Sequence, residues 1–155
     1  MKTINKIMVA VDFSDYSFPA ATYAAELAKD VNAKILLTNV FNQRDIDMMN
    51  NVAKRAPEFP VKKYVDEYLK DRRERLEDLA KKIDIDHLDV EINVCIGVPY
   101  KALLKEIEEK NPDILVMGTK GRSNLVDMVI GSCAQKMFRR CPIPLLSIRE
   151  AQNQG

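Results

Sequence analysis

The chain holds one histidine, His87, among its 155 residues. A single histidine excludes a paired-histidine nucleotidyl-transfer motif, and His87 reads as a loop residue between a helical pattern and a strand pattern. Cysteine is sparse: Cys95, Cys133 and Cys141 are scattered and odd in number. They make neither a disulfide framework nor a zinc site, and they read as reduced, mostly buried thiols. No apolar run approaches the roughly 18 residues of a membrane span. Residues Met1 to Lys6 lead into a strand-like run without the apolar stretch and cleavage site of a signal peptide. A cytoplasmic location with no membrane partner is the expectation. The net charge is only +1, which gives no global attraction for nucleic acid or acidic membranes.

Several catalytic signatures are also missing. There is no Gly-x-x-x-x-Gly-Lys-Ser/Thr loop and no Gly-x-Ser-x-Gly elbow. The Ser-Gly-Gly-x-Asp-Ser pyrophosphate loop of adenylating enzymes is absent too. A phosphorelay receiver would need an acid beside Asp12 and a lysine closing the last strand. Asp12 has no adjacent acid, and the last strand ends at Ile148-Arg149.

What is present is an ordinary globular composition. Hydrophobic residues make up 46% and charged residues 30%, so the chain can bury a core as one domain without staples. The organisation expected is one domain over 1–149 and a tail over 150–155. Apolar runs alternate with helical patterns. Lys6 to Asp12 is a short β-type run. Ser17 looks like an N-cap with Pro19 in the first turn, followed by Ala21, Ala24, Ala25, Ala28 and Val31 at helical spacing. Lys34 to Val40 is a second buried strand. From Phe41 to Pro60 the asparagines and prolines predict a loop with at most a short helical turn. A long amphipathic helix fits Val61 to Ile83, striped by Val61, Tyr64, Val65, Tyr68, Leu69, Leu76, Leu79 and Ile83. Its Lys70 to Arg75 run mixes both signs and reads as a solvated face.

Leu88 to Ile96 alternates as a third strand. Gly97-Val98-Pro99 opens a helix carrying Leu103, Leu104 and Ile107 inward, and Asn111-Pro112 stops it. Asp113 to Gly118 is a fourth strand, Ser132 to Arg140 a last helix, and Pro144 to Ile148 a fifth strand. Strands apolar on both faces and separated by helices predict an α/β fold: an open five-stranded parallel sheet, Rossmann-like, with helices on both faces. Such sheets bind ligands at the carboxyl ends of their strands, where strand order reverses.

Two features fall at those ends. Asp12 closes the first strand, where its carboxylate either caps the loop before the first helix or meets the hydroxyls of a ligand. Gly118-Thr119-Lys120-Gly121 closes the fourth, with Gly131-Ser132 at the mouth of the last helix. Glycines allow a tight turn and close approach of a ligand. Successive N–H groups there can form an anion nest. The helix start adds free N–H groups and a positive dipole end. Ser132 can donate its hydroxyl or act as N-cap, and Lys120 and Arg122 add positive charge. These are the parts of a phosphate cradle, although glycine turns have structural uses as well.

Gly118-x-x-Gly121, nine residues, then Gly131-Ser132 resembles the nucleotide-binding signature of the universal stress protein family. The run Ile7 to Ser14 is similar to that family's first strand, and Cys141 to Arg149 to its ending. The resemblance thus spans nearly the whole chain. It implies strand order 3-2-1-4-5, an adenine nucleotide alpha hydrolase-like sheet, and an ATP site above the first and fourth strands, with Mg2+ accompanying the nucleotide. Asp12 would then lie near ribose and adenine, with Ala10, Val11 and Val40 along the base. Met117, Gly118, Lys120, Gly121, Gly131, Ser132 and Cys133 would surround the ribose and phosphates. Some relatives carry a second hydroxyl two residues after the serine, where this chain has Ala134.

The resemblance also implies a homodimer through the last strand, Pro144, Leu145, Leu146, Ser147 and Ile148. The function it implies is a nucleotide-responsive regulatory or stress-resistance module, with at most slow ATP hydrolysis or autophosphorylation. The competing reading is a dimeric interaction protein of the same fold that does not depend on nucleotide.

Overall fold

The computed structural model describes residues 2–83, 88–119 and 131–149. The order of elements is β1 (Lys6–Ala10), α1 (Ser17–Val31), β2 (Lys34–Asn42), α2 (Gln43–Arg55), α3 (Val61–Lys82), β3 (Val90–Gly97), α4 (Pro99–Lys110), β4 (Ile114–Gly118), α5 (Ser132–Arg140) and β5 (Leu145–Ile148). All five strands pair in parallel, in the order β3-β2-β1-β4-β5. The expected open, doubly wound sheet is therefore the observed one.

Side chains alternate across each strand, so each central strand feeds two cores. Ile7, Val9, Ile35, Leu37, Ile114 and Val116 face α1 and α3, where Ala20, Ala21, Ala24, Ala28, Leu76 and Leu79 cover them. Met8, Leu36, Leu115 and Met117 face the other way, toward Leu103 and Ile107 of α4 and Ala134 and Met137 of α5. The alanines of α1 let that helix lie close to the sheet. Asn32 and Asn111 end α1 and α4 in the left-handed conformation, at φ 58° and 52°. Asparagine tolerates that region better than most residues.

Four local expectations are corrected. The segment from Phe41 is not a loop: β2 continues to Asn42, and Gln43–Arg55 is a helix of 13 residues. Its start is an ordinary cap, the Asn42 side chain accepting from the Arg44 N–H at 3.0 Å. None of its residues is fully buried, although Ile46, Met49 and Ala53 share one half-buried face; Asn42, Asn50, Asn51 and Pro57 outweigh that short stripe as loop signals. Second, Ser17 is the first helical residue rather than the cap; Tyr16 is the cap and makes no side-chain cap bond. Third, the outer ends of two stripes are open, with Val31, Tyr64 and Tyr68 exposed. Fourth, the three thiols are half-buried rather than mostly buried.

At the amino-terminal edge of the sheet, Asp113 joins two strands. Its Oδ2 accepts the N–H of Asn5 at 2.7 Å and of Lys6 at 3.0 Å, with the Lys2 ammonium 3.3 Å from Oδ1. The Asn5 N–H holds the carboxyl below the usual aspartate range, aided by Lys6 and Lys2. A lowered folded pKa contributes stability above the unfolded carboxyl value, and that contribution is lost as pH falls through the folded value. Asp113→Ala is expected to cost about 1 kcal/mol at pH 7, or roughly 2–4 °C in Tm. The gap from wild type should begin to narrow below about pH 3.9, the ordinary aspartate value, and close as pH falls through the lower folded value. A gap that does not narrow at all between about pH 5 and pH 2 in thermal melts would show that charge is not its cause.

Candidate functional site: a cavity at the strand-order switch

The chain leaves β1 to cross to β2 on one side, and later returns to pair β4 on the other. The two crossovers diverge above β1 and β4, which opens a crevice at their carboxyl ends. A cavity of about 590 Å³ lies there.

The β1 exit is held from several directions. Val11 donates its N–H to Thr38 O at 2.8 Å, and Asn39 Nδ2 donates to Val11 O at 2.7 Å. Asp12 Oδ1 accepts from the Ser14 N–H at 3.0 Å and the Ser17 hydroxyl at 2.9 Å, while the Asp12 N–H donates to Ser17 Oγ at 3.2 Å. Ser17 thus fixes the carboxylate instead of capping the helix. Phe13 turns the chain at φ 62°, a left-handed conformation that strains a bulky residue. The Arg75 guanidinium carbon, 4.1 Å from the Phe13 ring centroid, helps hold that turn.

The β4 exit is pinned as tightly. The N–H and hydroxyl of Thr119 both donate to Ile148 O at 3.0 Å. The Gly131 N–H donates to Thr119 O at 2.9 Å. Residues 119 and 131 are therefore adjacent in space, which sets the start of α5 beside the end of β4. Gly131 is the cap of α5 and supplies no side chain, and the first backbone bond inside the helix comes from Gln135 to Gly131 O. The N–H groups of Ser132, Cys133 and Ala134 thus point out of the helix start without an intrahelical acceptor.

Ala10, Val11, Asp12, Val40, Met117, Gly118, Gly131, Ser132 and Cys133 all line this one cavity. Lys120 and Gly121, and likewise Arg122 and His87, lie outside the described residues. The sequence reasoning missed Asn39, Asn42, Arg44, Asp45 and Arg72, which line the β2 side. Arg72 belongs to the Lys70 to Arg75 run that reads as a solvated face. Instead it is half-buried, with its guanidinium carbon 5.7 Å from the Phe13 centroid and 6.0 Å from that of Phe41. The capping pattern at Asn42, with Asp45 in the first turn and Lys54 and Arg55 in the last, was the signal for α2. Nothing local signalled Arg72.

Cys133 sits in an environment that disfavours its thiolate. Burial, and then the Asp12 charge, push its thiol up to about 11, with Lys136 opposing. Thiolate, not thiol, reacts, so its reactive fraction near neutral pH is about a hundredfold below that of an ordinary thiol. Burial likewise pushes Cys95 up to about 11. Maleimide labelling of the native protein at pH 7 is expected to be slow at Cys133 and to reach normal rates only in denaturant. Fast labelling of native Cys133, read by peptide mass, would contradict this environment.

A parallel sheet with a cavity at its strand-order switch defines a doubly wound α/β protein. Residues 3–149 match the model of the universal stress protein family, and the chain belongs to that family. It is 26% identical over 150 residues to universal stress protein MJ0531 of Methanocaldococcus jannaschii, covering 96% of this chain and 84% of that one. It is 27% identical over 146 residues to universal stress protein YxiE of Bacillus subtilis, covering 94% and 99%. Among solved structures, that of hypothetical protein MJ0577 superposes with a TM-score of 0.82 at 18% identity, covering 98% of this chain and 100% of that one. A universal stress protein in complex with cAMP superposes at 0.63 and 23% identity, covering 96% and 98%. These structural likenesses concern the fold.

Proposed function

We propose that the cavity binds an adenine nucleotide, ATP above all, and that the protein is a nucleotide-responsive regulatory or stress-resistance module. The observation that carries this reading is the meeting, in one cavity, of the Asp12 carboxylate, the Gly118 strand end and the α5 start capped only by Gly131. The start of α5 is suited to phosphate because N–H groups and the dipole both favour an anion. Asp12 is suited to ribose hydroxyls, since a carboxylate accepts from them. The β2 end, with Val40, offers an apolar wall to the base. A cavity of this size is in the range that takes small ligands, and a relative of the same fold was solved with a cyclic nucleotide.

Among the described residues no group of three His, Cys, Asp or Glu is placed to hold a metal. Mg2+ would therefore arrive on the phosphates, as that ion often does. In this reading hydrolysis is at most slow. In the same reading the protein is a homodimer through β5, which among the described residues pairs with β4 alone and so lies at the edge of the sheet. Light scattering of the purified chain tests the dimer. Calorimetry with Mg-ATP tests the site: saturable binding is expected, and no heat or thermal shift at millimolar nucleotide sinks the reading.

A further inference from the structure

Strand β2 carries a hydroxyl into the floor of the cavity. Thr38 is 1% exposed and lines it. Parallel register places Thr38 beside Ala10 of β1 and Asn93 of β3, with Ala10 beside Met117 of β4. Strand partners in register share a face, so these four side chains form one row across the sheet. The row beneath it holds Met8, Leu36 and Leu115 in the apolar core. Two residues beyond Thr38, on the same face, stands Val40, the wall offered above to the base.

The Thr38 hydroxyl has no hydrogen-bond partner among the described residues. In its row Ala10 offers only a methyl group and Met117 a thioether, while Asn93 Nδ2 donates to Glu106 Oε2 at 2.8 Å. The Thr38 carbonyl is committed to the Val11 N–H at 2.8 Å. A second group on the same cavity is in the same state. Asn39 is 2% exposed, its Nδ2 donates to Val11 O, and its Oδ1 has no partner among the described residues. A buried polar atom left unanswered costs stability. Valine has the shape of threonine, and strands favour it, so the fold alone gains nothing from this hydroxyl. A ligand in the cavity would answer it.

We propose that the Thr38 hydroxyl hydrogen-bonds the polar edge of a nucleobase seated against Val40. The inference rests on the nucleotide reading above and adds to it a residue that holds the base. A hydroxyl both donates and accepts, so it meets a ring nitrogen or an exocyclic amine alike. Rotation about χ1 moves the hydroxyl between staggered positions, which lets it turn to the base. The contact gives direction to a subsite otherwise walled by Ala10, Val40 and Met117. The β4 exit, where the phosphates would lie, is two strands from β2, or about 10 Å. Thr38 therefore meets the base and not the phosphate chain.

The test compares wild type, Thr38→Val and Thr38→Ser by calorimetric titration of the full chain with ATP and with AMP, and by thermal melts without nucleotide. Thr38→Val should lose about fivefold in affinity, the scale of one neutral hydrogen bond. The factor should be the same for both nucleotides, which share the base. Thr38→Ser keeps the hydroxyl and should stay within about twofold of wild type. Free of nucleotide, Thr38→Val should melt at or above the wild-type temperature, by up to about 4 °C, because an unanswered polar atom is gone. Unchanged affinity in Thr38→Val overturns the contact and leaves the nucleotide reading standing. A loss confined to ATP also overturns it, since that puts Thr38 on the phosphates. Equal loss in Thr38→Val and Thr38→Ser traces the effect to packing and overturns it as well. So does a lowered melting temperature in Thr38→Val, which shows that the hydroxyl serves the fold. Failure of wild type to bind either nucleotide sinks the nucleotide reading and the contact together.

Discussion

Gly131→Phe is expected to abolish ATP binding while leaving the fold in place. Gly131 sits at φ −59° and ψ 150°, an extended conformation that any residue adopts. Its N–H bond to Thr119 O and its acceptance from Gln135 N use backbone atoms alone, so substitution keeps both. The added ring has one consequence, at the cavity that Gly131 lines between β4 and α5. There it takes the space a phosphate would occupy and covers the free N–H groups of the helix start. Loss of those charge-assisted bonds predicts at least about a hundredfold drop in affinity, near 2.7 kcal/mol. Calorimetry with Mg-ATP, beside a thermal melt in which Tm moves by only a few degrees, checks it. ATP bound by Gly131→Phe as tightly as by wild type would place the phosphates elsewhere.

Leu36→Ala is expected to be the most damaging single core truncation on the α4–α5 side. Leu36 is fully buried in β2, between β1 and β3, in the cluster with Met8, Leu103 and Ile107. Truncation removes apolar contacts and leaves a void that the flanking strands cannot close without breaking their ladders. The cost should be about 3 kcal/mol, a large part of the roughly 5–15 kcal/mol that domains of this kind possess. Urea unfolding should show an unchanged slope and a midpoint lowered by that free energy divided by the slope. A loss below about 1 kcal/mol would mean that the layer is loosely packed, since Leu→Ala at tight sites costs at least twice that.

Such effects follow unevenly from the sequence. β1, β2 and β4 were legible because continuous apolar runs bounded by turn residues leave few alternatives. Helix α5 was legible to the residue, Ser132 to Arg140, because glycine before it and Pro142 after it punctuate the chain. α2 was not, because its stripe of Ile46, Met49 and Ala53 is short and the asparagines and prolines around it read as loop signals. Arg72 was misplaced because its neighbours in sequence are exposed and charged. Its burial depends on Phe13 and Phe41, which lie far away along the chain and close only after folding.

The glycine segment has the same division. By itself the sequence determined which elements alternate, that the sheet is parallel and covered, and that Gly118 and Gly131 fall at a strand end and a helix start. Those are local properties, set by side-chain period and backbone freedom. It also carried the family resemblance, from which strand order was inferred. Only the tertiary structure brought Asp12, Gly118 and the α5 start around one cavity, turned Ser17 from a cap into a partner of Asp12, and set Thr38 in the floor of that cavity. These depend on contacts between residues distant in sequence, whose geometry follows from sheet register and helix packing rather than from any local preference.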